Sequence, residues 1–211
     1  MHPSTAWLRA SLRLWKRRLA YRKRRLDAAR RSGSAKRIEH WHRLVDKAAY
    51  HVGRRRMQLN ERRPLRERAY SVAKGLVGVM EHGGNNQGAV VSKIIRANGG
   101  SGPEPWCGDF VAYCYRLAGS RAVTRSWASV RLLGGVSGVR RTTAPRMGDL
   151  VRFTFDHVGM FVKDNHDGTI TTIEGNTGAS GAVSDSATGG DGVYRKIRSK
   201  GLVQDYLRVT R

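Results

Sequence analysis

Pro105-Trp106-Cys107-Gly108-Asp109-Phe110-Val111-Ala112-Tyr113-Cys114 is the stretch that decides how the chain is read. A helix begins at or beside Cys107, because Phe110, Val111, Cys114 and Leu117 recur at the spacing of one buried helical stripe. Cys107 therefore stands at the positive end of a helix dipole, whose field and unpaired backbone N–H groups favour a thiolate, the form of cysteine that attacks. The same N–H groups can receive an oxyanion. Cys114 lies seven residues on, roughly 10 Å along the axis at about 1.5 Å per residue, beyond the roughly 7 Å reach of a disulfide. It falls on the apolar stripe and reads as core filler. No other cysteine occurs among the 211 residues, which excludes a small fold held by a disulfide framework.

A thiolate nucleophile needs a base, and the chain offers seven histidines. Six read as solvated or structural: His2 at the terminus, His40, His42 and His51 in a basic region, His82 at a helix end and His166 in a turn. His157 differs. It follows Gly148-Asp149-Leu150-Val151-Arg152-Phe153 and opens Val158-Gly159-Met160-Phe161-Val162, so it stands at the start of one strand of a hairpin and can be presented rigidly to a cleft. On the next strand, Thr172-Ile173-Glu174-Gly175-Asn176 puts Glu174 and Asn176 two residues apart, on one face if the strand continues. Either can orient the imidazole.

Around these pieces, helices are expected at about 65–81, 87–97, 107–118 and 125–133, with Asn86 as a cap for the second and Asn98-Gly99-Gly100 as its end. Strand patterns follow at Leu150 to Phe155, Val158 to Lys163, Thr169 to Glu174, Val193 to Arg198 and Leu202 to Val209. Asn165-His166-Asp167-Gly168 is a turn, and Gly175 to Gly192 is a long loop rich in glycine, serine and alanine. Helices first and then an antiparallel sheet give an α+β fold.

Charge divides the chain. It carries 40 basic and 16 acidic residues for a net charge of +24, of which +17 lies in residues 1–70. In that region Leu8, Leu12, Trp15, Leu19 and Leu26 keep heptad spacing with Arg22 at the skipped place, and Ile38, Trp41, Val45, Ala48, Val52 and Leu59 resume it after Ser32-Gly33-Ser34. The region reads as an N-terminal basic helical hairpin over residues 1–63. Pro64 opens a second domain, residues 64–211. So basic a hairpin is drawn to polyanions, and the expected partners are anionic wall polymers or a membrane surface, with nucleic acid ranked behind them. No stretch approaches the roughly 20 apolar residues of a membrane span, and Met1 to Lys16 holds no apolar run of signal-peptide length.

Three pieces, Trp106-Cys107 with its helix, Gly148-Asp149-Leu150-Val151 leading to His157-Val158-Gly159, and Ile173-Glu174-Gly175-Asn176, stand in an order that makes residues from about 75 to 211 resemble the CHAP family. These are the cysteine, histidine-dependent amidohydrolase/peptidases of papain-like NlpC/P60 architecture. The resemblance implies that Cys107 is the nucleophile, that His157 acts as general base and then acid, that Glu174 orients His157 and that Asn176 is a further polar member of the site. It implies hydrolysis of an amide bond in bacterial peptidoglycan, as an N-acetylmuramoyl-L-alanine amidase or an endopeptidase. Glu81-His82-Gly83-Gly84-Asn85-Asn86-Gln87-Gly88 is similar to the approach to the catalytic helix in phage-encoded members, so Asn85 and Asn86, together with Trp106 and Asp109, are expected to contact substrate. Many members carry Gln immediately before the nucleophile, where it helps hold the oxyanion; here Trp106 takes that place and leaves the second donor open. Calcium-binding relatives have aspartates clustered ahead of the cysteine, which this chain lacks, so no metal or other cofactor is expected. Absence of a signal run, together with one catalytic domain and a basic appendage, points to a phage endolysin that waits in the host cytoplasm before reaching the wall. The rival reading is a non-catalytic wall-binding or nucleic-acid-binding protein on an inactive fold of the same family.

Overall fold

A computed structural model describes residues 3–179 and 190–210. The chain divides into two compact units, Met1–Arg63 and Pro64–Arg211.

The first unit is two 27-residue helices, α1 (Thr5–Arg31) and α2 (Ala35–Glu61). Ser4 caps α1, its Oγ accepting the Trp7 N–H at 3.1 Å, and Gly33 turns the chain at φ +68°. The helices are antiparallel, since Arg62 meets Thr5, Arg55 meets Ser11, Trp15 stacks on His51 and Arg22 donates to the Leu44 carbonyl. Their seam follows the heptads: Leu8, Leu26 and Ala29 of α1 and Ala48 and Val52 of α2 are buried. Two helices cannot enclose a full core, so Leu12, Trp15 and Leu19 stay half-exposed.

The second unit has an α+β architecture. Helices α3 (Leu65–Leu76), α4 (Ala89–Ala97) and α5 (Cys107–Leu117) precede two short 3₁₀ segments, Arg125–Ala128 and Val130–Gly135. Six strands follow: β1 (Val139–Thr142), β2 (Leu150–Phe153), β3 (Val158–Asp164), β4 (Thr169–Thr177), β5 (Gly192–Ser199) and β6 (Val203–Val209). They form one antiparallel sheet in the order β1-β6-β2-β3-β4-β5. Helix α5 is the core element, buried from Cys107 through Tyr115, and it packs against α3, α4 and strands β3 and β4. It lies so close to β4 that a Cβ on Gly175 would come within 2.6 Å of Phe110 and 2.8 Å of Trp106. That glycine lets the start of the helix approach the sheet.

Several boundaries differ from the sequence reading. Helix α3 stops at Leu76, and Gly78 turns at φ +92°. Helix α4 is capped by Gly88 and not by Asn86, whose own φ of +59° takes it out of any cap geometry. The helix expected at 125–133 is a pair of 3₁₀ segments, and the short edge strand β1 was not anticipated. Most of the Gly175 to Gly192 loop falls at residues 180–189, outside the described residues, while β4 itself runs on through Thr177.

Candidate active site

Helix α5 begins at Cys107, so the thiol sits on the first turn, where backbone N–H groups have no partner within the helix. His157 sits immediately before β3, on the turn from β2, with its N–H donated to the Phe155 carbonyl and its own carbonyl accepting from Phe153. Phe153 and Phe155 stack beside its ring, each with centroids 5.8 Å away. The turn and the two rings fix the imidazole in one orientation.

One imidazole nitrogen, Nε2, lies 3.0 Å from Oε2 of Glu174, and the Cys107 thiol lines the same cleft as the ring. Glu174 is completely buried and also accepts from both arms of Arg198, Nε at 3.1 Å and Nη2 at 2.7 Å, and from the Thr172 hydroxyl. Arg198 in turn lies over the rings of Phe153 and Phe155. Gly159 makes room for this line of groups, because a Cβ there would stand 2.6 Å from the Glu174 side chain.

Electrostatics follow from the geometry. Burial works against a charged imidazolium, yet the hydrogen bonds and negative charges of Cys107 and Glu174 outweigh it and lift His157 to about 9. Burial would likewise raise Glu174, but the hydrogen bonds and charges of His157 and Arg198 hold it down at about 2. The buried carboxylate stays ionised, and the imidazole beside it is a cation at neutral pH. Cys114 lies at the other end of α5, free and fully buried, with its thiol pushed up by desolvation.

The cleft in front of Cys107 encloses about 230 Å³ and is lined by Asn85, Asn86, Pro105, Asp156, His157 and Asn176 together with the thiol. Asn86 has its N–H held by Glu81 Oε2 at 2.7 Å, and Glu81 Oε1 accepts the Trp106 indole N–H at 2.8 Å. The Asn176 amide satisfies its neighbours when its oxygen accepts the Trp106 backbone N–H and its nitrogen donates to Asn86 Oδ1, both at 3.2 Å. Asn86 and Asn176 both adopt left-handed backbone, at φ +59° and +55°, a conformation that is uncommon outside glycine and that collects at functional sites. A larger hollow of about 810 Å³ lies along β1 and β6, beside Arg140, Arg141, Lys200 and Tyr206, and is lined by neither cysteine nor histidine.

The structure thus brings Cys107, His157, Asn85, Asn86 and Asn176 to one cleft with Glu174 behind the histidine. Two residues expected at the substrate are elsewhere. Trp106 is fully buried and braces the Glu81 loop. Asp109 is also fully buried, where it accepts from Asn98 at 2.7 Å and pairs with Arg125 at 3.0 Å, and Arg125 further clamps Glu104. The correction is helical: two residues beyond Cys107, at about 100° each, Asp109 points to the far side of α5. Burial first, with the nearby Glu104 charge, pushes its carboxyl up to about 6 against the opposing pull of Asn98 and Arg125.

Arg198 and Asp156 had not been picked out as site residues. Asp156, next to His157 in the sequence, was findable as a polar residue on the same turn. Among the described residues, no group of three or more His, Cys, Asp or Glu side chains is placed to hold a metal ion.

A cysteine on a helix start, a histidine before a strand and a carboxylate one strand over are gathered at one cleft, an arrangement of the kind that nucleophilic catalysis requires. Residues 98–176, which hold all three, match the family model of the CHAP domain. CHAP domains are generally amidohydrolase or peptidase domains, with peptidoglycan as the substrate the family suggests. No curated protein and no solved structure matches the chain.

Proposed function

We propose that the chain is a peptidoglycan hydrolase of the endolysin type that cuts a wall amide bond through a Cys107–His157 thiolate mechanism, as amidase or endopeptidase. The observation that carries this reading is the unbroken line Cys107, His157, Glu174, Arg198, in which each charged group has a partner of opposite sign or a hydrogen bond. The Cys107 sulfur attacks the amide carbonyl carbon, and the C=O electron pair moves to oxygen. Collapse of the tetrahedral adduct breaks the C–N bond as the His157 imidazolium gives its proton to the leaving amine. Neutral His157 then takes a proton from water, whose oxygen attacks the thioester; the C–S bond breaks, releasing the acid product and restoring the Cys107 thiolate beside the His157 imidazolium. Glu174 holds the ring through Nε2 and stabilises its cationic form.

Asn86 supplies the oxyanion donor that the residue before the nucleophile, Trp106, lacks. Its carbonyl oxygen is engaged by Asn176, which leaves its NH₂ group as the donating end beside Cys107. First-turn N–H groups of α5 are the companion donors.

The test is hydrolysis of purified walls by wild type and Cys107→Ala. Loss of roughly a thousandfold or more in rate with an unchanged melting temperature is expected, whereas retained hydrolysis would remove the proposal. New N-terminal alanine in digested fragments, read by mass spectrometry, marks amidase cleavage; a different new amine marks endopeptidase cleavage.

A further inference from the structure

The basic unit carries a feature that its charge does not explain. On α1, Trp7, Leu14 and Tyr21 are about half exposed, at 48%, 47% and 52%. They recur every seven residues, two helical turns, and form one line about 21 Å long at about 1.5 Å per residue. The buried seam toward α2 uses other positions, Leu8, Leu26 and Ala29; Trp7 lies under the Arg55 guanidinium of α2 and Tyr21 meets Trp41 of α2 edge-on, yet both keep about half their surface open. Single exposed apolar side chains are ordinary; an ordered row of three large ones is not.

Arginines border the row on both sides. Arg17 and Arg24 follow Leu14 and Tyr21 by three residues and Arg18 and Arg25 follow them by four, which are the positions adjacent on a helix surface. All four are exposed. Asp27, the one acidic residue of α1, comes beyond the row and pairs with Arg30.

We propose that this face of α1 docks on an anionic phospholipid surface, with Trp7, Leu14 and Tyr21 lying in the headgroup layer and the bordering arginines on lipid phosphates. An amphipathic helix of this kind lies in the interface plane, its apolar line submerged and its cations level with the charge. Trp and Tyr prefer that depth because each joins an apolar ring to a polar edge. Other occupants fit less well. A second copy would bring like arginine borders together. A nucleic-acid duplex pairs with the arginines through its phosphates but keeps its bases stacked inside, away from a row of apolar side chains. A hydrated anionic wall polymer pairs with the arginines but gives the apolar row nothing to enter.

The proposal is independent of the chemistry at Cys107. Full-length protein is sedimented with vesicles of phosphatidylcholine alone, and of two parts phosphatidylcholine to one of phosphatidylglycerol, at about 0.15 M salt. Wild type is expected to bind the mixed vesicles and not the neutral ones. The triple variant Trp7→Ser, Leu14→Ser, Tyr21→Ser should lose at least about tenfold in partition while keeping its helix content by circular dichroism and its rate on purified walls. Three results would overturn the proposal: equal capture by neutral vesicles, a triple variant that partitions like wild type, or a triple variant whose main loss is in binding duplex DNA or in self-association.

Discussion

Arg24 on the hairpin and Arg198 in the sheet are the same side chain in opposite circumstances. Arg24 is exposed on a helix whose neighbours are mostly cations, and water meets its hydration needs. Arg198 is 1% exposed, clamped on Glu174 and covered by Phe153 and Phe155. Charge on the hairpin is therefore additive and replaceable, a field built from many weak contributions. Charge in the site is a chain of mutual dependence, because each group there has left water and is compensated only by its neighbours.

The difference sets the scale of what mutations do. Arg198→Met leaves Glu174 buried without its cation, and a loss of about 3–5 kcal/mol of stability is expected in urea unfolding; a loss under about 1 kcal/mol would mean that the site behaves like surface. Asn86→Ala removes a proposed oxyanion donor without touching a buried charge. Its kcat on wall substrate should fall roughly 100-fold, about 2.7 kcal/mol of barrier, with KM nearly unchanged and roughly 1 kcal/mol of stability lost because alanine is strained at a left-handed φ; a change confined to KM would make Asn86 a binding residue only. Arg24→Ala should shift hairpin stability by no more than about 0.5 kcal/mol.

The parts of the fold that could be read in the sequence are those where a local pattern has a single physical reading. Cys107 was legible because the apolar stripe of α5 begins behind it, and His157 because the strand pattern begins directly after it. The seam between α1 and α2 follows heptads that any helix must place on one side. Arg198 was not legible for a comparable reason. Alternation in β5 invites Ile197 inward, yet Ile197 is 53% exposed and Lys196 and Arg198 are the buried ones. Only the demand of Glu174, on the neighbouring strand, inverts that pattern, and no local window contains it. Trp106 and Asp109 were misplaced because nearness to Cys107 along the chain is not nearness on a helix start. Asn176 was expected to share a face with Glu174; its left-handed backbone and the shifted β4–β5 register between Glu174 and Thr177 turn it into the cleft instead.

Coupling between the thiol and the imidazole is the centre of this account, and ¹⁵N-histidine NMR of the whole protein measures it directly. A group whose folded value is raised from 6.5 to about 9 contributes stability that is fully present below pH 6.5 and disappears as pH rises through about 9. The His157 ring should accordingly remain an imidazolium through neutral pH in the wild type. In Cys107→Ala, where the facing hydrogen bond and negative charge are gone, its titration should move downward. A His157 resonance that titrates at the same pH in both proteins would contradict the pairing on which the hydrolase reading stands.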